Sequence, residues 1–447
     1  MQTPQKIAVV GSGLVGTLLA IYLKKLGHTV HVFDRSPDIR TVQFSGRSIN
    51  LVMSTRGWKT LQDIGLEDAI REIGIPVDKR GIHLPDGTFT TQKYGKEDEA
   101  IFSLSRGILN RKMIDLAENA GVDFFFEKRV WDVSLKEAVL YIGETERGEW
   151  TELKFDKVFG ADGAFSRIRH RMQRQSLFDY SQEFMKIGYK ELHIPANLDG
   201  SHKIDKNSLH IWPRGEFMLM GLANLDGSFT CTLFMPFEGE TSFESIKTEA
   251  DLKLFFEEYF PDTKEIIPNL MEDYFKNPTS YLVKMKCYPW TYEDKIALIG
   301  DSAHAIVPFY GQGMNAGFED ITILNEIIKK HGDDWEAIFK EYEISRKPNA
   351  DAIAELAERN FTEMSAKTAD ENFLLQKKIE KWFSDLHPDK WLPLYSRVTF
   401  SLQPYSEALA IGEYQNQLMQ EVLKMPNINE NWNSKEVEHK ILELLKQ

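Results

Sequence analysis

The chain is 447 residues long and has only two cysteines, Cys231 and Cys287, neither of them in a Cys-x-x-Cys pair. That excludes a disulfide framework and a thiolate zinc site, and reads both thiols as small buried hydrophobes in a reducing compartment. Basic charge is also in short supply. Fifty-four Lys and Arg face 68 Asp and Glu, for a net charge of −14, which excludes a broad nucleic-acid-binding surface. No apolar run approaches the ~20 residues of a membrane-spanning helix. No leader-like segment precedes Lys6–Val10, which already reads as a strand. There are no repeats and no low-complexity linkers. A cytoplasmic protein without a metal, nucleic-acid or membrane partner is expected.

What remains is an ordinary globular composition, 42% hydrophobic and 27% charged, with enough length for two joined domains. Lys6–Val10 runs into Gly11-Ser12-Gly13-Leu14-Val15-Gly16, a helical Leu14–Leu26 stops at Gly27, and a second strand, Thr29–Phe33, ends at Asp34. Here the glycines allow a tight turn, close approach of backbone to a pyrophosphate, and close helix–strand packing. The acid about 20 residues on takes a ribose hydroxyl and disfavours a 2′-phosphate in the same place. The glycines alone do not choose between NAD and FAD.

Two further strand-to-helix turns carry carboxylates. Val158–Gly163 ends in Asp162-Gly163, with Ser166, Arg167 and Arg169 following. Ile296–His304 delivers Gly300-Asp301, and Gly311-Gln312-Gly313-Met314-Asn315 then opens a helical pattern whose N-terminus favours negative or electron-rich groups. Two nucleotide-type elements so far apart in one chain point to a single extended flavin nucleotide. Arg47, just before Ile49-Asn50-Leu51, and Arg106 and Arg111, at a helix start, would each be surface residues if read alone.

From about 185 to 290 the composition turns to β, with runs at 188–194, 208–212, 216–222 and 228–234; beyond 313 the pattern is helical. The expected division is a nucleotide domain in two parts, 1–180 and 291–365, a β-rich substrate domain at 181–290, and a helical region at 366–447. Residues 82–91 read as a hairpin around Pro85-Asp86-Gly87, 106–120 as a helix and 122–126 as a buried strand.

Together the Gly-x-Gly-x-x-Gly, Asp-Gly and Gly-Asp-x-x-His motifs resemble those of the class A FAD-dependent aromatic hydroxylases, the fold family of para-hydroxybenzoate hydroxylase. The resemblance implies an α/β, Rossmann-like FAD-binding domain with an inserted β-sheet and a helical C-terminal region. It implies FAD held by Gly11, Gly13, Leu14, Gly16, Asp34, Arg35, Arg47, Arg106, Arg111, Asp162, Gly163, Gly300, Asp301, Gly311, Gly313, Met314 and Asn315, with NADPH as co-substrate.

Gly188-Tyr189-Lys190-Glu191-Leu192, Leu209–Pro213, Phe229–Phe234 and Tyr395–Phe400 are similar to the branch that hydroxylates L-kynurenine, over most of residues 5–405. By that similarity Arg80 and Tyr94 bind the substrate carboxylate, Asn360 and Tyr395 add polar contacts, and Phe234, Pro308, Phe309 and Tyr310 wall the aromatic ring. The implied chemistry needs no protein nucleophile. Reduced flavin and O₂ give a C4a-hydroperoxide, which oxygenates the ring carbon ortho to the amino group to form 3-hydroxy-L-kynurenine.

Ala305 stands where proline is usual, and Tyr310 where phenylalanine or histidine is expected. The alternative is a class A hydroxylase of a phenol or polycyclic natural product; a halogenase would carry Trp-x-Trp-x-Ile, which is absent. NADPH against NADH, and pairing as a homodimer, stay open at this point.

Overall fold

The computed structural model describes residues 3–42, 49–95, 99–365 and 370–446. Its first large sheet has six strands in the order Thr291–Tyr292, Ile296–Leu298, Lys157–Gly160, Lys6–Val10, Thr29–Phe33, Asp123–Phe125. Only Thr291–Tyr292 runs antiparallel. Parallel strands are covered on both faces, which is why their sequences are continuously apolar rather than alternating. Ile7, Ala8, Val9, Ile296, Ala297 and Leu298 are all fully buried. Helices Leu14–Lys25, Arg106–Asn119 and Gly313–His331 pack side by side against this layer.

The second large sheet has seven strands in the order Ser280–Tyr288, Asp179–Ile194, Phe229–Pro236, Phe217–Ala223, Ser208–Arg214, Lys79–His83, Phe89–Lys93. It is antiparallel except where Ser208–Arg214 meets Lys79–His83. The upstream hairpin, with Ile82 opposite Thr90 as its turn predicts, thus extends the far edge of the β-rich segment. Side chains alternate across this sheet. Leu209, Ile211, Met218 and Phe234 face a core shared with Phe309 and Tyr310. Trp212, Phe217, Leu219 and Leu233 face another core, closed by Phe255 and Phe256 of helix Glu249–Tyr259. Two three-stranded sheets and the long helix Trp335–Ser365 complete the main body. The C-terminal helices keep a core of their own around Phe383, Trp391, Met419 and Ile441.

The expected α/β class stands, and three details differ. The 122–126 strand is not buried: Asp123–Phe125 is an edge strand paired on one side only, and Asp123 and Phe125 are exposed. The strand expected at 188–194 begins at Asp179, because its first half forms an exposed ribbon with Ser280–Tyr288 and shows no apolar alternation. The β-rich segment also contains helices, Glu249–Tyr259 with a Thr248/Asp251 capping box and Leu270–Lys276. Cys231 and Cys287 are free and buried, and burial pushes the Cys287 thiol up to about 12. Among the described residues no helix is long and apolar enough to cross a membrane.

Candidate active site

The glycines of the first turn divide by what surrounds them. A Cβ on Gly11 (φ 109°) would lie 2.3 Å from the Ala161 carbonyl oxygen, and one on Gly16 2.1 Å from that of Gly11. Both serve the packing of the turn. A Cβ on Gly13 would meet nothing within 4 Å. Gly13 is the N-cap of the 12-residue helix Leu14–Lys25 and supplies no side-chain cap, so the positive helix end opens onto free space fit for a phosphate. Asp34 holds the loop in place. Its carboxylate accepts from Ser12 N at 2.7 Å, Ser12 Oγ at 2.8 Å and Ser36 N at 2.8 Å.

The two distant motifs converge on this turn. A Cβ on Gly317 would come within 2.6 Å of Val15, and one on Gly300 (φ 60°) within 3.1 Å of it. Small residues therefore let the helix Gly313–His331 lie along the first helix. Asp301 follows Gly300 and its side chain is exposed. Desolvation by the protein around it raises its pKa, with His304 and Arg106 opposing that shift from either side. The Asp162 turn is stitched to the same place: Ser302 Oγ donates to Asp162 at 3.1 Å and accepts from Gly163 N at 2.8 Å. Asp162 also accepts from Arg167 N at 2.6 Å, and burial raises its pKa.

The other expected cofactor residues are placed unequally. Leu14 and Met314 are half-buried beside the turns, and Arg106 opens its helix facing Asp301. Gly311 takes φ 65°, and a Cβ on Gly313 would meet only Ile306, at 3.7 Å. Asn315 spends its amide on backbone, donating to Val52 O and Gly311 O at 2.8 Å and accepting from Ser54 N at 2.9 Å, so it shapes the turn. Arg35 is exposed, and Arg111 donates to Val42 O at 3.0 Å. Arg47 lies outside the described residues.

Beneath the Asp301 turn is a buried ionic network that the sequence reading missed. Arg346 donates to Asp320 at 2.7 Å and Glu319 at 2.8 Å, Arg56 also donates to Glu319, and His304 donates to Asp320 at 2.6 Å. The Gly300 N–H donates to Asp320 at 3.1 Å, which ties the network to the Asp301 turn. Burial would push Asp320 upward, but His304 and Arg346 hold it below the ordinary carboxylate range. The available signal was Glu319-Asp320 on an otherwise apolar stretch of helix.

The other predicted cluster comes together on the adjoining face of the seven-stranded sheet. Arg80 comes from Lys79–His83, Tyr94 from the end of the same hairpin, Tyr395 from helix Leu394–Phe400, and Pro308, Phe309 and Tyr310 from one turn. The Arg80 guanidinium lies 4.7 Å from the Tyr395 ring centre and 5.3 Å from that of Tyr94. Tyr94 and Tyr395 stack at 5.1 Å and 14°, and Tyr310 and Tyr395 at 5.6 Å and 17°. Phe309 meets Phe234 at 5.1 Å and Phe361 at 4.4 Å, and Asn360 fixes the turn by donating to Phe309 O at 2.7 Å. Phe361 and Phe400 are wall residues that the sequence reading did not name.

Among the described residues no carboxylate pairs with Arg80. Its Nε is buried and makes no hydrogen bond of good geometry among the described residues, and the guanidinium and the Tyr94 hydroxyl interact with one another and with Tyr395. Burial works against the cation, while Tyr94, Tyr395 and Tyr310 together raise its pKa above the ordinary value. Burial holds Tyr94 and Tyr310 well above the usual phenol range, so both stay neutral. A desolvated guanidinium without a counter-charge is costly, and this arrangement is complementary to an incoming anion carrying an aromatic group.

Residues 5–357 match a family model described as an FAD binding domain. The chain is 73% identical over 447 residues to the kynurenine 3-monooxygenase of Flavobacterium johnsoniae, covering 100% of both chains. It is 68% identical over 445 residues to that of Flavobacterium psychrophilum, covering 100% of this chain and 99% of that one. In fold it is similar to the tetrameric form of 2-methyl-3-hydroxypyridine-5-carboxylic acid oxygenase, with a TM-score of 0.67 at 19% identity over 80% of this chain and 93% of that one.

Proposed function

The chain belongs to the kynurenine 3-monooxygenase family of FAD-binding flavoproteins, and from that premise we propose that it hydroxylates L-kynurenine to 3-hydroxy-L-kynurenine with NADPH and O₂. The observation that carries the substrate is Arg80, a half-buried guanidinium ringed by phenols and lacking a carboxylate partner among the described residues. Kynurenine supplies the missing carboxylate at one end and an aromatic ring at the other. A phenol or polycycle without an acid group would leave Arg80 unpaired.

The residues present fit FAD. Gly13 and the helix behind it suit the pyrophosphate, Asp34 the adenosine ribose, and Asp301 with the Gly311–Gly313 turn the flavin end. When bound, the flavin supplies electron acceptance from NADPH and the activation of O₂. The protein's part is positional. Arg80 holds the carboxylate, Tyr94 and Tyr395 cover it, and Phe234, Phe309 and Tyr310 fix the plane of the ring and keep water out. The aniline nitrogen already makes the ring electron-rich, so no protein base is required to activate it.

The test is NADPH oxidation by the purified yellow protein with and without L-kynurenine, with product mass read in parallel. Strong stimulation and a product one oxygen heavier are expected. Stimulation without that product would make kynurenine an uncoupling effector, and no stimulation would remove it as substrate.

A further inference from the structure

The strand that carries Arg80 has a second face, and the chemistry there is unusually specific. Arg80 points into the aromatic cluster, whereas His83 points the other way, between Phe89 and Trp212. His83 Nε2 lies 2.9 Å from His210 Nδ1, and His83 Nδ1 lies 3.0 Å from Asp262. The Trp212 indole N–H donates to the same Asp262 oxygen at 2.7 Å. His210 Nε2 lies 2.8 Å from the backbone carbonyl oxygen of Asp205. The His83 ring stacks on Trp212 at 4.0 Å and 13°.

These contacts determine where the protons are. A carbonyl oxygen only accepts, so His210 carries its hydrogen on Nε2. Burial lowers the His210 pKa to about 4, which keeps the ring neutral and leaves Nδ1 as an acceptor. The 2.9 Å contact then takes its hydrogen from His83 Nε2. Burial would push Asp262 upward, but the bonds from His83 and Trp212 hold it below the ordinary range, so it too accepts. The His83 ring thus bridges a carboxylate on one side and an acceptor nitrogen on the other.

The hairpin needs such a hold. Phe89–Lys93 is an edge strand with every side chain exposed, and Lys79–His83 pairs with the main sheet over only four positions, Ser208 to Ile211. Short edge pairing defines register weakly. The other charged groups facing this cluster do not titrate with it. Lys79 and Asp205 pair at 3.0 Å, which raises the lysine and helps to lower the acid, and Arg214 donates to the His83 carbonyl at 2.9 Å.

We infer that His83 is a positioning residue for Arg80: by bridging Asp262 and His210 it clamps the hairpin bearing Arg80 and Tyr94, so affinity for a carboxylate-bearing aromatic substrate falls when the bridge is removed. The inference rests on Arg80 being the carboxylate anchor.

The experiment uses the oxidised holoenzyme. The Kd of L-kynurenine is read from the flavin absorbance change, and hydrogen exchange of the 79–94 segment, corrected for intrinsic rates, is followed in parallel. In His83→Phe, which keeps the stack on Trp212 and loses both bridging contacts, affinity should fall roughly tenfold and exchange in the hairpin should quicken, while kcat at saturating kynurenine is little moved. His83→Gln, which keeps an N–H donor, should recover part of both readouts. If His83→Phe does not fold, Asp262→Asn replaces it with the same expectation. Hairpin exchange unchanged from the wild type in these variants would overturn the clamp. Exchange that responds while Kd does not would overturn Arg80 as the anchor and leave the clamp standing.

Discussion

Arg346 is buried and Arg80 half-buried, and the surroundings of the two guanidinium groups are opposite. Arg346 meets Asp320, Glu319 and the Ala316 carbonyl; Arg80 meets the faces of Tyr94 and Tyr395 and, among the described residues, no acid. The first is complete, with every charge answered from within the chain. The second is half of an interaction. A buried cation that brings its own counter-charge belongs to the architecture, whereas one without it is poised for a ligand.

The comparison is most strongly tested by removing each arginine in turn. Arg346→Ala leaves Asp320 and Glu319 short of a counter-charge and should cost about 3–5 kcal/mol of stability, seen as a large drop in thermal midpoint with loss of bound flavin. Arg80→Ala should leave folding and flavin content intact while raising the KM for kynurenine roughly a hundredfold, near 3 kcal/mol by the usual conversion. Equal stability losses in the two variants, measured by melting of both holoenzymes, would erase the distinction.

Acid should separate the two regions as well. The folded pKa of His210, behind Arg80, is about 4, below the ordinary 6.5 of an unfolded histidine. Its contribution is therefore present above the unfolded value and lost as pH falls towards the folded one, by roughly 2 kcal/mol down to about pH 5. Asp320 is held below the ordinary carboxylate range, so the share from the Arg346 network persists to lower pH. Chemical denaturation of wild type and His210→Gln across that range checks this, since the variant should lose the slope.

The smallest effect is expected within the flavin turn. Gly13→Ala places a methyl in the open cradle and should weaken FAD about tenfold while leaving the melting of apoprotein unchanged. Gly16→Ala meets the Gly11 carbonyl oxygen at 2.1 Å and should lower that melting point itself. Identical behaviour of the two would mean that Gly13 faces no ligand.

Much of the turn around Gly13 was legible because its signals are local. Gly11, Gly13, Asp34, Asp162, Gly300 and Asp301 sit at strand ends where a tight turn or a positive φ restricts the residue type. The Asp179–Phe184 ribbon was not legible, because an exposed two-stranded extension requires no apolar period. Nor was the Arg56–Glu319–Arg346–Asp320–His304 network, whose members come from separate helices and read one by one as surface charges.

By itself, then, the sequence determined the parallel sheet, its glycine turn and the two carboxylates that converge on it, since backbone sterics and apolar periodicity act over a few residues. Only the tertiary structure decided what Arg80 is. In Asp78-Lys79-Arg80 nothing local distinguishes it from a solvated cation. It becomes a half-buried charge without an acid among the described residues because Tyr94 of its own hairpin and Tyr310 and Tyr395 from two distant segments are brought around it, and the cost of a charge depends on the medium the whole fold builds around it.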